Sequence, residues 1–196
     1  MSSAARRESP LSQFAADSSD QSGVQIGERP FQGHVNLRGD SGDDVFLKAA
    51  EGVLRLALPL VPNTVVDNAD LKVLWLGPDE WLIITLPNGE SAIVESLEAA
   101  LGDMFSSVTD TTGGQTVIRL SGPSARDLLA KGGPLDLHPR VFGPGRCAQT
   151  LVAKAMATII HVDDAPTFDL VIRRSFADYL RAWLQDAAME SGLEQV

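Results

Sequence analysis

Leu71-Lys72-Val73-Leu74-Trp75-Leu76-Gly77-Pro78-Asp79-Glu80-Trp81-Leu82-Ile83-Ile84-Thr85-Leu86 is the stretch on which the fold turns. Its two apolar, β-rich runs flank Gly77-Pro78-Asp79-Glu80, residues that favour a tight reversal, so the segment reads as an antiparallel hairpin. Downstream, Asn88-Gly89 turns the chain into a helix from about Ser91 to Leu101, with Ile93, Val94, Leu97 and Leu101 on one face. Upstream, His34-Val35-Asn36-Leu37 alternates as a short strand. A helix from about Asp44 to Leu56 follows, with Ser41 or Asp43 as its cap, and Pro59 and Pro62 mark a loop.

The same order recurs in the second half. Phe105 to Asp110 and Thr116 to Leu120 read as strands. Gly122-Pro123 opens a helix through Lys131, and Gly132-Gly133-Pro134 stops it. Thr150 to Lys154, Ala157 to Val162 and Thr167 to Arg173 are further strands. A last helix is capped by Ser175 and expected to bury Phe176, Tyr179, Leu180, Trp183 and Leu184. Leu37-Arg38-Gly39-Asp40 aligns with Leu120-Ser121-Gly122-Pro123, a weak internal repeat with a shift of 83 residues between Leu37 and Leu120. The expectation is an α+β fold of two ferredoxin-like units with antiparallel sheets. Residues 31–196 then form one compact domain of two pseudo-repeats, about 31–103 and 104–196. Residues 1–30 read as an extended N-terminal arm. Its Ser-, Ala-, Gln- and Asp-rich composition fits either a frayed end or a segment that orders on a partner through Leu11 and Phe14.

Composition narrows the function. With 44% hydrophobic residues in 196, the chain can bury a sizeable core. The formal net charge of −10 disfavours nucleic acid and anionic membrane as partners. No apolar run approaches the roughly 18 residues of a membrane span, and Met1 to Asp20 lacks the apolar centre of a secretory signal. The lone Cys147 fits a reducing compartment, so a cytoplasmic location is expected. Charge is uneven: Arg119, Arg126, Lys131, Arg140, Arg146 and Lys154 face only Asp127 and Asp136 within residues 119–154. That basic stretch is a candidate for electrostatic matching to a partner or an anionic ligand.

A catalytic set is missing from the sequence. His34, His138 and His161 show no metal-ligand spacing. Asp43-Asp44 and Asp163-Asp164 sit where a helix cap and a turn want carboxylates. Cys147 has Arg146 beside it and His138 upstream, but no signature of a nucleophile and base. Asp110-Thr111-Thr112-Gly113-Gly114 and Gly143-Pro144-Gly145 are glycine-bearing turns, not phosphate-cradling loops. No catalytic, cofactor-binding or metal-ligating residue is assigned. Trp183 belongs with the core stripe of the last helix, while Trp75 and Trp81 fit either core or interface.

Several motifs together resemble the gamma subunit of heterotetrameric sarcosine oxidase. They are Ser9-Pro10-Leu11, Leu74 to Leu82 with its Gly-Pro-Asp-Glu-Trp, Val108-Thr109-Asp110, Leu120 to Ala125, Leu135-Asp136-Leu137-His138-Pro139 and Arg174-Ser175-Phe176-Ala177. The resemblance implies a non-catalytic chain in a complex with alpha, beta and delta subunits, the alpha subunit being its main contact. Such a complex oxidatively demethylates sarcosine to glycine and passes the methyl carbon to tetrahydrofolate. FAD, FMN, NAD and zinc are then expected in the other subunits and none in this chain. The fold implied is similar to the folate-binding domain of aminomethyltransferases. The alternative is a free-standing folate-binding protein of that kind, although no catalytic acid is placed convincingly on Asp110, Asp163 or Asp164.

Overall fold

The hairpin forms as β4 (Leu71–Gly77) and β5 (Glu80–Thr85), with Leu74 paired to Leu82 and Trp75 to Trp81. The computed structural model describes residues 7–13 and 23–191. Around the hairpin the first half adds β2 (Gly33–Arg38), α1 (Asp44–Leu54), a short β3 (Val65–Asp67), α2 (Glu90–Leu101) and β6 (Ser107–Asp110). The second half is β7 (Gln115–Ser121), α3 (Ala125–Gly132), β8 (Cys147–Val152), β9 (Ala155–Asp163), β10 (Thr167–Arg173) and α4 (Ala177–Ser191). One further strand, β1 (Gln25–Arg29), precedes them all.

Two five-stranded antiparallel sheets result, ordered β3-β4-β5-β2-β6 and β1-β7-β10-β9-β8. In the first, β2-α1-β4-β5-α2-β6 is a ferredoxin-like unit with β3 added at the hairpin edge. The second repeats it with β8 as the added strand. Its outermost position beside β7, held by β6 in the first sheet, is filled by β1 from the far N-terminus.

For the described residues of the segment 1–30, Leu11 and the strand β1, this corrects the sequence reading of an arm outside the domain. Among the described residues regular structure begins at Gln25, not near Gly33, and Ile26 pairs with Leu120. Leu11 is 5% exposed and packs in the core of the second half. The low average apolarity of the segment hid a local alternation, Val24 and Ile26 buried around an exposed Gln25. The proposed anchor Phe14 lies outside the described residues.

Local signals explain why the helices start and sit where they do. Asp43 caps α1 by accepting from the Val45 amide at 2.8 Å, which contributes about 1 kcal/mol. Phe46, Ala50 and Leu54 recur every fourth residue on its buried face, and Phe46 meets the Trp81 ring at 5.9 Å between centroids. Burying each large apolar side chain contributes about 1.5–3 kcal/mol. The last helix departs from its pattern. A 3-10 turn, Arg174–Phe176, precedes it, and Phe176 and Tyr179 are exposed while Ala177, Leu180 and Leu184 are buried. Register starting at Ala177, one residue inside the expected stripe, selects that face. Trp183 packs partly buried against the same core.

Each sheet is covered on both faces. On the outer face of the first, α1 and α2 pack over Val35, Leu37, Val73, Trp81 and Ile83. On that of the second, α3 and α4 cover Ile118, Leu120, Ile159, Phe168 and Leu170. The alternate residues, Leu74, Leu82 and Ile84 from one sheet and Val117, Cys147, Ile160 and Val171 from the other, form a third cluster. The sheets therefore stack face to face through this seam, giving a helix–sheet–sheet–helix order of layers.

Candidate functional site: the seam between the sheets

Strand alternation places every inward side chain of the seam. His34 and Asn36 on β2, Glu80 and Leu82 on β5, Val117 and Arg119 on β7, and Asp169 and Val171 on β10 alternate with the outer-face residues of those strands. Where apolar residues give way to polar ones the seam opens into a cleft of about 460 Å³. Asn36, Glu80, Thr109, Gln115, Gln149, Thr158 and Arg173 line it together with apolar Leu82, Met156 and Val171. The Asn36 amide donates to Glu80 Oε1 at 2.8 Å, which fixes that carboxylate at the rim. Hydroxyls, amides, one carboxylate and one guanidinium make a surface that can bind, but no nucleophile is paired with a base there.

The charged pair of the seam is Arg119 and Asp169, directly opposed on β7 and β10. Two parallel bonds join them, Nε to Oδ1 and Nη2 to Oδ2, both at 2.7 Å. The hydrogen bond to Asp169 is the largest cause that raises the Arg119 guanidinium above its ordinary range. Cys147 is buried in the seam, its Sγ 3.5 Å from the Thr64 carbonyl. Burial pushes its thiol up to about 12, so it stays an unreactive thiol at neutral pH.

The three histidines are dispersed by the fold. His34 is 1% exposed, and burial lowers its imidazole to about 4, against smaller opposing effects of the Gln32 backbone and Asp110. Although the Gln32 carbonyl is near enough to act on it, neither ring nitrogen makes a bond of hydrogen-bond geometry. His161 stacks on Phe168 at 4.6 Å and faces Arg126 across 3.3 Å. His138 is exposed and accepts from the Arg140 amide. Among the described residues no group of three His, Cys, Asp or Glu converges on a point, so the side chains present do not fit a zinc ion. The two glycine turns lead into strands β7 and β8 rather than into helices, so they do not fit a dinucleotide phosphate either. Asp110 and Asp163 accept from the Thr112 and Ala165 amides and close turns.

Two of the six bases read from residues 119–154 are turned inward. Arg119 is spent on Asp169, and Arg126 is drawn under the Leu137 and Phe142 carbonyls with its guanidinium over the Phe168 ring. Lys131, Arg140, Arg146 and Lys154 are exposed, Lys131 donating to the Ala187 carbonyl at 3.1 Å. The cleft residues were not found from sequence. The available signal was the polar interruption of apolar strands, Gln149 in β8 and Thr158 in β9, but its meaning depends on knowing that both faces are covered.

Fold and seam define an α+β chain of two ferredoxin-like halves stacked sheet to sheet. The glycine cleavage system aminomethyltransferase T from Bartonella henselae shares this fold, with a TM-score of 0.62 over 81% of this chain and 44% of that one, at 12% identity. The chain belongs to the family described as sarcosine oxidase, gamma subunit, whose model matches residues 38–190. It is 35% identical to the sarcosine oxidase subunit gamma of Corynebacterium sp. (strain P-1), over 95% of this chain and 90% of that protein. To the same subunit from Arthrobacter sp it is also 35% identical, over 92% and 87%. A chain of the heterotetrameric sarcosine oxidase from Corynebacterium sp. U-96, solved in complex with pyrrole 2-carboxylate, superposes with a TM-score of 0.87 at 30% identity, covering 97% of this chain and 98% of that one.

Proposed function

We propose that this chain is the non-catalytic gamma subunit of a cytoplasmic heterotetrameric sarcosine oxidase, stabilising the assembly beside the folate-handling part of the alpha subunit. The assembled enzyme oxidatively demethylates sarcosine to glycine, with oxygen as the electron acceptor and tetrahydrofolate as the acceptor of the methyl carbon. In this reading FAD, FMN, NAD and zinc are held by the other subunits. The observation that carries the reading is the end-to-end likeness to a chain of the Corynebacterium oxidase, 97% of one on 98% of the other. Three side chains of the seam agree with it: His34 is buried and neutral, the Cys147 thiol is raised to about 12 and Arg119 is paired with Asp169, so none of these three is poised for proton or acyl transfer at pH 7.

An affinity purification of the chain from its native source tests the reading. Large flavin-bearing partners should co-purify with it, and removing the chain should lower the yield of intact oxidase without altering the flavin content of what remains. A chain recovered alone, binding tetrahydrofolate stoichiometrically, would replace this reading with the free-standing folate-binding one.

A further inference from the structure

The polypeptide passes between the sheets twice at one end of the molecule. Residues 30–32 carry it from β1 to β2, with Phe31 in the left-handed region at φ 63°, and residues 111–114 return it from β6 to β7. A cavity of about 40 Å³ lies where these crossovers meet the start of the described chain and the turn before α4. Arg7, Arg29 and Arg174 line it, together with His34, Gln115 and Thr112.

Two features make this cavity unlike an ordinary packing defect. His34 is 1% exposed, yet neither Nδ1 nor Nε2 makes a bond of hydrogen-bond geometry, and Gln115 Oε1 is buried and unpartnered as well. Buried polar atoms in that state are destabilising unless something completes them. A reversed Gln115 amide presents a donor in place of the orphaned oxygen, since the two orientations differ only in which atom is nitrogen. The three arginines, for their part, form no ion pair with a carboxylate among the described residues. Arg7 donates to Asn88 Oδ1 at 2.7 Å and lies over the Phe31 ring, and Arg174 donates to the Glu8 carbonyl at 2.7 Å, so each is oriented but retains free N–H groups. Glu28, the nearby acid of β1, is already engaged by the Ser9 and Thr116 hydroxyls.

We propose that this cavity is a carboxylate socket which receives an Asp or Glu side chain of a neighbouring subunit, a reading that rests on the chain working inside an assembly. Charge and size select the occupant. Three guanidiniums in a chain of net charge −10 form a local field opposite to the whole, and bidentate guanidinium–carboxylate pairs are the strong form of such contacts. A space of about 40 Å³ admits a carboxylate head but not a whole metabolite. The exposed positions of Arg7, Arg29, Phe31 and Arg174 leave its mouth open to a protein surface.

The test uses the full chain co-produced with the other subunits of the same oxidase. Arg29→Glu/Arg174→Glu should raise the dissociation constant of the chain from the complex by about tenfold or more. Lys48→Glu/Arg55→Glu, the same change of charge on and just after α1, should leave it within twofold. Replacing chloride by acetate at equal ionic strength should weaken assembly of the wild-type chain and not of the Arg29/Arg174 variant. The single variant Arg29→Gln, on an exposed strand position, gives the same reading should the double variant fail to fold, and circular dichroism of each chain separates the two cases. Wild-type affinity in a folded Arg29 variant overturns the proposal. Acetate binding to the isolated chain with assembly unaffected by the variants assigns the socket to free carboxylates and also overturns it. A wild-type chain that joins no oxidase subunit is a different failure, because it removes the assembly itself.

Discussion

Arg119→Met tests whether the seam depends on the Arg119–Asp169 ion pair. The wild-type guanidinium donates twice to Asp169 at 2.7 Å, and the two side chains are 26% and 6% exposed respectively. Met keeps most of the aliphatic stem, so the main loss is the charge rather than packing. Asp169 is then left buried beside apolar Val117 and Val171 with no cation to balance it. Breaking a buried pair in this way costs about 3–5 kcal/mol. Because Arg119 already reaches water over a quarter of its side chain, solvent can enter the vacated space, and the lower end, about 3 kcal/mol, is expected. For a chain of this size that corresponds to a fall in Tm of about 6–12 °C. The double variant Arg119→Met/Asp169→Leu, which removes both charges, should recover most of the loss. Urea and thermal unfolding of the three full-length chains at pH 7 provide the measurement. A single variant within about 1 kcal/mol of wild type, or a double variant no more stable than the single one, would refute the reasoning.

Other substitutions probe separate parts of the fold. Leu11→Ala should destabilise the isolated chain by about 2–4 kcal/mol, because the side chain is 5% exposed in the second-half core; a change below about 1 kcal/mol would show that residues 9–11 do not pack there. Trp81→Phe removes the 2.8 Å bond from the indole N–H to the Pro59 carbonyl and should cost about 1–3 kcal/mol in the same assay, whereas an unchanged midpoint would mean that this carbonyl finds another donor. His34 ionises near 6.5 when unfolded and at about 4 when folded, so the unfolded chain takes up a proton that the native state refuses. Stability is therefore complete above pH 6.5 and falls by up to about 3 kcal/mol as pH drops to 4; His34→Gln should flatten that window, and superimposable wild-type and variant profiles would contradict it. Cys147 should react with iodoacetamide at pH 8 at least about a hundredfold more slowly in the folded chain than in urea, and comparable rates would show that the seam opens readily.

The sequence by itself determined the local elements and their class. Asp43 ahead of Phe46, Ala50 and Leu54 specifies the start and the buried face of α1, since cap and spacing act within three turns of the chain. Gly77-Pro78-Asp79-Glu80 between apolar runs likewise specifies the hairpin, and the shift of 83 residues from Leu37 to Leu120 exposes the duplication. Family membership was legible too, in motifs spread over the whole chain. Only the tertiary structure decided that β1 completes the second sheet while β6 completes the first, because strand pairing across more than ninety residues, Gln25 with Ser121, leaves no periodic trace in either segment. It also decided which alternate residues face the helices and which face the seam. A strand covered on both sides is apolar at nearly every position, so the pattern carries no label for the two faces. The carboxylate socket lies furthest from the sequence: Arg7, Arg29, His34, Gln115 and Arg174 come from separate segments, and what unites them is the meeting of two crossovers at one end of the stacked sheets.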